Sequence, residues 1–201
     1  MYRVIKAGGA LLNALHENAT LKKANWTTYT SPNWKVWCAI VTARTCYYCA
    51  SMHGRIFSSI DPQIYQIPVH PNCRCFIEKL TAILVGTATL AGINGVDMYV
   101  WLHGTLPSYY LKKKEAEKLG WKSWLGNLAD VLPGKMIGGM IYKNRDHRLP
   151  EKPGRIWYEA DFDYVSGIRN GRRLLYSNDG LLFATYNHYR TFYEIGWENL
   201  L

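Results

Sequence analysis

A run of short apolar and aromatic segments separated by turn residues extends from Lys135 to Tyr193, and it constrains the fold more than any other part of the chain. Its clearest element is residues 156–165, where two kinds of side chain alternate. One face carries Ile156, Tyr158, Ala160, Phe162 and Tyr164, and the other carries Trp157, Glu159, Asp161 and Asp163. Because successive side chains of a strand point to opposite faces, this alternation predicts a strand with one more polar face. Further strands are predicted over residues 172–177 and 181–186 and after His188.

Helical patterns precede these strands. Residues 96–102 are apolar and are followed by His103 and Gly104, a sequence that predicts the end of a helix. A second, basic helix is predicted to begin at a Ser108 cap and to end at Gly120. Helices followed by hairpins indicate an α+β domain, in which the helices pack on one face of a twisted antiparallel sheet. We expect the other face to be open and charged.

The cysteines divide the chain, because all five precede residue 80. This change in composition predicts two units, at residues 1–88 and 89–201. The small, apolar residues 81–95 would form a flexible or partly helical connection between them. The apolar stretch at 80–96 is shorter than the roughly 20 residues that a spanning helix needs, so no membrane-spanning segment is predicted. The segment with Arg3 and Lys6 is marginal as a signal peptide, and no clear signal peptide is predicted.

The cysteines of the first unit are grouped in a pattern typical of metal ligands. A tetrahedral zinc site could draw on Cys46, Cys49, His70, Cys73 and Cys75. The alternatives are two disulfides or reduced, buried cysteines, with Cys38 left over. His53 is more often a polar turn residue than a ligand. We predict no catalysis here, because no nucleophile is paired with a base.

The second unit carries residues suited to proton transfer on a phosphodiester. A carboxylate (Glu159) can accept a proton, an imidazole (His188) can donate one, and two guanidinium groups (Arg169 and Arg173) can bind a phosphate. The net charge of +9 also favours polyanionic partners such as nucleic acid. Simpler interpretations remain: a cross-strand ion pair between Glu159 and Arg173, a loop histidine at 188, and a soluble basic protein.

Residues 126–195 resemble the barnase-type guanyl-preferring ribonucleases almost without gaps, and the resemblance begins near residues 106–121. It implies the microbial-ribonuclease fold and an endoribonuclease that cuts single-stranded RNA 3′ of guanosine. Such an enzyme needs no cofactor and forms a 2′,3′-cyclic phosphate. By position, Glu159 in WYEAD matches the general base and His188 in NHYRTF the general acid. The cations that bind phosphate match Lys113, Arg169 and Arg173, and Tyr189 matches an aromatic residue that lines the site.

The same resemblance assigns base recognition to the loop Lys143, Asn144, Arg145 and Asp146. In the family, peptide N–H groups of this loop bind guanine O6, and a carboxylate accepts hydrogen bonds from guanine N1 and N2. Here the carboxylate falls on Asp146, where the family usually has glutamate, and His147 stands where glycine is common. Either change could loosen the guanine preference. The resemblance also implies an acidic, barstar-like immunity protein as a partner, and secretion.

Residues 34–78, with the motif HPNCRC, resemble the C-terminal signature of the phage Mu F-like minor head protein family. That resemblance implies a docking or delivery unit with a phage or secretion-machinery partner. Together the two resemblances predict a bacterial toxin that is secreted or delivered to a target cell. Two alternatives remain. One is a phage-head-type structural or RNA-binding protein with an inactive nuclease-like domain, and the other is a zinc-dependent nucleic-acid-binding module.

Overall fold

The structure is a computed structural model that describes residues 26–197, so the segment with Arg3 and Lys6 lies outside the described residues. Within residues 26–197, nine strands form one sheet in the order β2-β1-β3-β9-β8-β7-β6-β5-β4. The strands are β1 (Thr28–Ala39), β2 (Ile56–Ser58), β3 (Cys75–Leu84), β4 (Tyr110–Leu111), β5 (Met136–Tyr142), β6 (Trp157–Asp161), β7 (Arg173–Ser177), β8 (Leu182–Thr185) and β9 (Tyr193–Gly196). The α-helices are α1 (Tyr47–Met52), α2 (Val96–His103), α3 (Lys113–Lys118) and α4 (Leu128–Val131).

Alternation along the central strands supplies two cores, one on each face of the sheet. The α2-side core takes the side chains of Ile83, Val85, Ala88, Val96, Val100, Ala160, Phe162, Leu174, Leu182, Ala184 and Ile195. The β2-side core takes the intervening side chains, which are Ile56, Leu80, Leu149, Trp157, Leu175, Phe183 and Phe192. Each central strand therefore contributes apolar residues to both faces, as in a sheet covered on both sides.

The expected α+β class is confirmed, but two details of the expected sheet are wrong. The sheet is mixed, because β3 pairs in parallel with β9 and β4 pairs in parallel with β5. Its second face is not open along its whole length, because the β2-side core fills the centre. One end of that face carries the polar residues Glu159, Asp161, Arg173 and Thr185, which lie beyond the apolar positions of β6, β7 and β8.

The prediction of a connecting segment over residues 81–95 is also wrong for the first residues of that segment. Thr81–Leu84 belong to β3, because Ala82, Ile83 and Leu84 pair with Glu194, Ile195 and Gly196 of β9. The sheet thus runs unbroken from the cysteine-bearing strands into the strands after residue 136. The division at residue 88 stays a prediction.

The carboxylate of Asp97 ties the segment after β3 to α2. Asp97 is fully buried. It accepts hydrogen bonds from the backbone N–H of Gly86 (2.7 Å) and Ala88 (3.2 Å) and from the hydroxyl of Thr89 (3.2 Å). A buried carboxylate needs such donors to remain charged, so these contacts fix the segment on the helix.

The first predicted helix is confirmed as α2, which ends before Gly104 in the left-handed conformation (φ 67°). The second begins later than predicted. Tyr110–Leu111 form β4 beside β5, so α3 starts at Lys113 rather than after Ser108. Its first turn is stabilised by the Glu115 carboxylate, which accepts a hydrogen bond from the backbone N–H of Lys112 (2.9 Å). No helix among residues 26–197 is long and apolar enough to cross a membrane.

Candidate active site

Glu159 lies near the polar end of the sheet, with its side chain only 13% exposed. Strand pairing sets it opposite Leu175 of β7 and beside Met140 of β5. The hydroxyl of Tyr189 donates a hydrogen bond to Glu159 Oε2 (2.5 Å), and Lys113 Nζ lies 4.0 Å from Oε1. Burial, followed by this hydrogen bond to a carboxylate, raises the pKa of Tyr189, so the phenol remains a donor. The carboxylate is therefore held in place while one oxygen faces a loosely paired ammonium group.

Asp161 lies two residues further along β6 on the same face, and it is 1% exposed. Arg169 binds it with two hydrogen bonds, from Nε to Oδ2 (2.5 Å) and from Nη2 to Oδ1 (2.6 Å). Arg173 lies directly opposite on β7, with Nε 3.0 Å from Asp161 Oδ1. That contact is ionic, because its angle does not suit a hydrogen bond and Arg173 Nε has no hydrogen-bond partner.

The three groups leave one net positive charge beside Glu159. Burial lowers the pKa of Arg169, but the hydrogen bonds and charge of Asp161 outweigh this and hold it above its usual value. The Arg169 guanidinium also lies over the ring of Trp121, 5.8 Å from its centroid. The residue pattern alone does not predict this role for Asp161. One feature of the sequence could have indicated it. Asp161 lies two residues after Glu159 on the alternating strand, and the next predicted strand carries Arg173.

His188 and Tyr189 form a turn between β8 and β9, and both have positive φ angles (55° and 67°). Such angles are uncommon for side-chain-bearing residues and persist where surrounding contacts impose them. Here the backbone N–H of His188 donates to Gly171 O (3.0 Å), and that of Tyr189 donates to Thr185 Oγ1 (3.0 Å). The turn leaves the His188 ring exposed and 4.8 Å from the Tyr189 ring, centroid to centroid.

Residues 143–149 form a loop after β5, where Lys143, Arg145 and Asp146 are exposed. The buried Asn144 points inward instead: its amide accepts from Leu149 N–H (3.0 Å) and donates to Leu149 O (2.9 Å). Its side chain therefore shapes the loop and is not free to contact a base. His147 takes a positive φ (52°), which is the conformation that a glycine would adopt with the least strain.

This loop is anchored on both sides. Arg148 Nη1 donates a hydrogen bond to Arg190 O (2.7 Å), next to the turn that carries His188. Arg148 O accepts from the backbone N–H of Ile56 (2.8 Å), which begins β2. Tyr142, at the start of the loop, stacks on Tyr189 with 5.2 Å between ring centroids. The loop, the His188 turn and the cysteine-bearing part of the chain are thus in direct contact.

The cysteines form a separate cluster at the far side of the sheet. His70 Nε2 lies 3.3 Å from Cys46 Sγ and 3.1 Å from Cys49 Sγ, and the sulfurs of Cys49 and Cys73 are 3.9 Å apart. Cys75 adjoins Cys49 and Cys73. All five cysteines, which lie in the described part of the chain, are free thiols, so the disulfide alternative is not what the structure forms. His53 stands apart as a turn residue, with Nδ1 accepting from Ala39 N–H (3.1 Å).

Comparison with known proteins relates the second half of the chain to a family. A family model described as ribonuclease matches residues 98–196. The ribonucleases of Bacillus intermedius and Bacillus pumilus are each 51% identical over 117 residues, which are 58% of this chain and 72% of theirs. The ribonuclease of Heyndrickxia coagulans is 48% identical over 108 residues, 54% of this chain and 99% of that protein.

These matches and the mixed α+β sheet define a nuclease in the second half of the chain. More specifically, the chain belongs to the ribonuclease family represented by these bacterial proteins. The match to the family model begins at residue 98, after the cysteine-bearing strands.

Proposed function

We propose that this protein is an endoribonuclease that cleaves single-stranded RNA 3′ of guanosine by metal-independent transphosphorylation. One observation carries the proposal: a fixed carboxylate, Glu159, lies beside Lys113 and next to the Asp161-bound arginines, in a 117-residue stretch that is 51% identical to a known ribonuclease. When a ribose hydroxyl attacks the neighbouring phosphate, the reaction requires a general base beside a pocket of cations.

In the proposed reaction Glu159 accepts the proton of the 2′-hydroxyl as that oxygen attacks phosphorus. His188 gives a proton to the departing 5′-oxygen, and the product ends in a 2′,3′-cyclic phosphate. Lys113, Arg169 and Arg173 bind the phosphoryl oxygens, where negative charge increases in the transition state. Lys113 suits this role because its 4.0 Å contact with Glu159 is a weak surface pair that a phosphate can replace.

Asp161 acts as a positioning residue in this scheme. Its carboxylate fixes the guanidinium plane of Arg169 through two hydrogen bonds and offsets the charge of Arg173, so that a phosphate meets donors already oriented. Tyr189 restrains the general base, Glu159, through a 2.5 Å hydrogen bond, and it also lines the site.

Base preference is proposed to reside in residues 143–146, with backbone N–H groups directed to guanine O6 and Asp146 accepting from N1 and N2. Aspartate is one methylene shorter than the glutamate usual in the family, so we expect a weaker preference for guanine. Asp146→Glu should raise the ratio of cleavage after guanosine to cleavage after adenosine, measured on paired dinucleotides. Asp146→Asn serves as the comparison and should lower that ratio.

The chemistry is tested with a short RNA that contains one guanosine, with no added metal, in the presence and absence of EDTA. Wild-type protein should cut 3′ of the guanosine and leave a cyclic phosphate. Glu159→Ala and His188→Ala should each lower kcat/KM by at least about 100-fold, since general acid and base groups contribute roughly 10²–10⁴-fold.

The matched controls for this assay are Glu117→Ala and His103→Ala, which alter exposed residues of the same types. Both should keep wild-type activity. If folded wild-type protein does not cut, the enzyme assignment fails. RNA binding without cleavage would then favour a phage-head-type structural or RNA-binding protein with an inactive nuclease-like domain.

We also propose a biological setting: a toxin, secreted or delivered to a target cell, whose residues 1–88 form a phage Mu F-like docking unit. The proposal rests on the HPNCRC segment and on the cationic site. An active ribonuclease would damage the cell that makes it. An acidic, barstar-like immunity protein should bind this site by presenting carboxylates to Lys113, Arg169 and Arg173. Such an inhibitor should compete with RNA, and its association rate should fall steeply as salt is added.

A further inference from the structure

The thiol cluster in the first part of the chain has the features of a metal site. Cys46 and Cys49 lie at the start of α1, His70 and Cys73 lie on the loop that leads into β3, and Cys75 is the first residue of β3. Five potential ligands from two separate segments thus form two overlapping groups that share Cys49. The ligand atoms of Cys46, Cys49 and His70 lie within 4.8 Å of one another, and so do those of Cys49, Cys73 and Cys75.

The imidazole of His70 is oriented as a ligand would be. Its Nδ1 lies 2.8 Å from Pro71 O, so Nδ1 carries the proton and donates it to this carbonyl. The unprotonated Nε2 then directs its lone pair between the sulfurs of Cys46 and Cys49, at 3.3 and 3.1 Å. A backbone carbonyl that fixes the tautomer in this way is the usual outer partner of a metal-bound histidine.

The spacing of the ligand atoms suits a tetrahedral ion. Zinc binds sulfur at about 2.3 Å and imidazole nitrogen at about 2.0–2.1 Å, so tetrahedral edges are about 3.8 Å between sulfurs and about 3.6 Å between sulfur and nitrogen. The Cys49–Cys73 separation of 3.9 Å matches the first edge, and the two contacts of Nε2 are slightly shorter than the second. The sulfurs are too far apart for a disulfide, whose bond is about 2.05 Å long.

The surroundings can balance the charge of such a site. Three thiolates and a neutral imidazole around a divalent ion carry one net negative charge. Arg44 and Arg74 line the same small cavity as Cys46, Cys49 and His70. No carboxylate lines this cavity among the described residues, so the donor set is soft and favours zinc over magnesium or calcium.

We propose that Cys46, Cys49, His70 and Cys73 bind one structural zinc ion that joins α1 to the loop before β3. Cys73 is assigned as the fourth ligand rather than Cys75. Its backbone N–H bonds to His70 O (3.1 Å), which sets both residues on one tight turn, and its sulfur lies 3.9 Å from that of Cys49. Cys75 also adjoins Cys49 and Cys73, but it is the first residue of β3 rather than part of the turn with His70.

Such an ion would compensate for a small core. The apolar cluster beneath the thiols has as its buried members Trp37, Ala39, Cys49, Met52 and Cys75, and α1 has only six residues. A helix this short gains little stability on its own, so a metal cross-link between two segments would contribute much of the local folding energy. Zinc binding would release the thiol protons to solvent, and metal affinity should therefore fall at low pH.

The test is the metal content of the full chain purified under reducing conditions with zinc present. Wild-type protein should contain one zinc per chain by elemental analysis. Replacement of zinc by cobalt(II) should give the visible bands of a tetrahedral ion and a thiolate-to-cobalt charge-transfer band. Cys46→Ser and His70→Ala, which remove ligands at the outer side of the cluster, should lower zinc below about one fifth of an ion per chain, and Cys73→Ser should do the same.

Cys38→Ser is the matched control. Cys38 lies outside the cluster, 3.6 Å from Glu78, and burial followed by that carboxylate raises the pKa of its thiol to about 12. This variant and Cys75→Ser should keep full zinc. Loss of zinc in Cys75→Ser but not in Cys73→Ser would overturn the assigned fourth ligand. A wild-type chain that binds neither metal, with five titratable thiols or with disulfides, would overturn the site.

A thermal measurement separates a structural role from incidental binding. Chelation of zinc should lower the melting temperature of wild-type protein and leave that of Cys46→Ser unchanged. Equal melting temperatures of wild-type protein with and without zinc would contradict a structural ion. The metal readouts do not depend on RNA cleavage, so they stand or fall separately from the proposed ribonuclease activity.

Discussion

Asp161 is a buried charge that pairs with two arginines of the candidate active site. Its carboxylate is nearly inaccessible and faces two guanidinium groups whose side chains are 15% and 6% exposed. Removing one member of a buried ion pair leaves an uncompensated charge, which costs about 3–5 kcal/mol in measured cases. Asp161 therefore contributes to stability as well as to the orientation of Arg169.

We predict that Asp161→Asn lowers the free energy of unfolding by about 3 kcal/mol, because both arginines lose their counter-charge. The measurement is urea denaturation at neutral pH with an unchanged m-value. The exposed Glu117→Gln should change stability by less than about 0.5 kcal/mol. A loss in Asp161→Asn no larger than in that control would contradict the buried-pair account.

The contribution of Asp179 to folding stability should depend on pH. Hydrogen bonds from Arg155, at 2.8–3.0 Å, hold the pKa of Asp179 at about 2, and the Ser177 hydroxyl (2.6 Å) adds to them. In the unfolded chain an aspartate has a pKa of about 3.9. Because the pKa of Asp179 is lower in the folded state, the unfolded state binds more protons at pH values between the two pKa values. The stabilisation is therefore lost as pH falls through this range.

Asp179→Asn should therefore cost a constant amount of stability above about pH 5, and the cost should shrink between about pH 4 and pH 2. Denaturation midpoints across this range measure it. Arg155→Gln should produce the same window, and the double variant should lose less than the sum of the two single losses. Additive losses would show that the two residues act independently.

At the scale of residues, the sequence predicts which side chains share one face of a strand. It does not predict which side chains are in contact. Alternation places Glu159 and Asp161 together, because the period of two is local. The partnership of Asp161 with Arg169 depends on the path of residues 162–168, and no local pattern of the sequence encodes that path.

Among the elements, the loop before Arg169 is held by close backbone packing. Gly126, with φ 63°, approaches the loop at residues 165–168 so closely that a Cβ atom would lie 2.6 Å from Gly167 C and 2.7 Å from Ile168 N. Backbone atoms cannot move aside as a side chain can. This contact therefore positions the segment that carries Arg169.

We predict that Gly126→Ala destabilises the protein and weakens RNA cleavage, because it displaces this segment. Gly134→Ala is the matched control, since Gly134 also has a positive φ (74°) but has open space around it. Both variants should lose about 1–2 kcal/mol from the left-handed conformation. Gly126→Ala should lose roughly 1–3 kcal/mol more from the clash. Equal losses in denaturation and equal kcat/KM would contradict this.

The strands after residue 150 were predictable to within a few residues, because their alternation and turns are local. Thr81–Leu84 were not, because small apolar residues without alternation resemble a linker. Their strand forms only through pairing with β1 and β9, and β9 is distant in sequence. The late start of α3 has the same cause, since β4 exists only through its two pairs with β5.

For the whole molecule, the parallel pairing of β3 with β9 makes the cysteine-bearing strands part of the ribonuclease sheet. Asp97 adds a second connection, since the backbone N–H groups of Gly86 and Ala88 solvate its buried carboxylate. A cut at residue 88 would remove both donors. The predicted boundary thus passes through a hydrogen-bonded unit.

We predict that a chain beginning at residue 85 is more stable than one beginning at residue 89, by about 3 kcal/mol, when both carry the same Gly-Ser leader. The reason is that hydrogen bonds to a charged group contribute about 1.5–3 kcal/mol each. Chemical denaturation of the two chains measures the difference. Equal stability, at the level of the full chain, would instead support a domain boundary at residue 88.

The pairing of β3 with β9 also has a consequence during synthesis. The ribosome makes β1, β2 and β3 first, and these strands can pair with one another before the rest of the chain exists. β9 can join β3 only after the His188–Tyr189 turn has been made, because that turn precedes β9 in the chain. Domains generally fold from the N-terminus as they emerge. We expect the nascent chain to remain inactive toward the RNA of its own ribosome until this last strand has emerged.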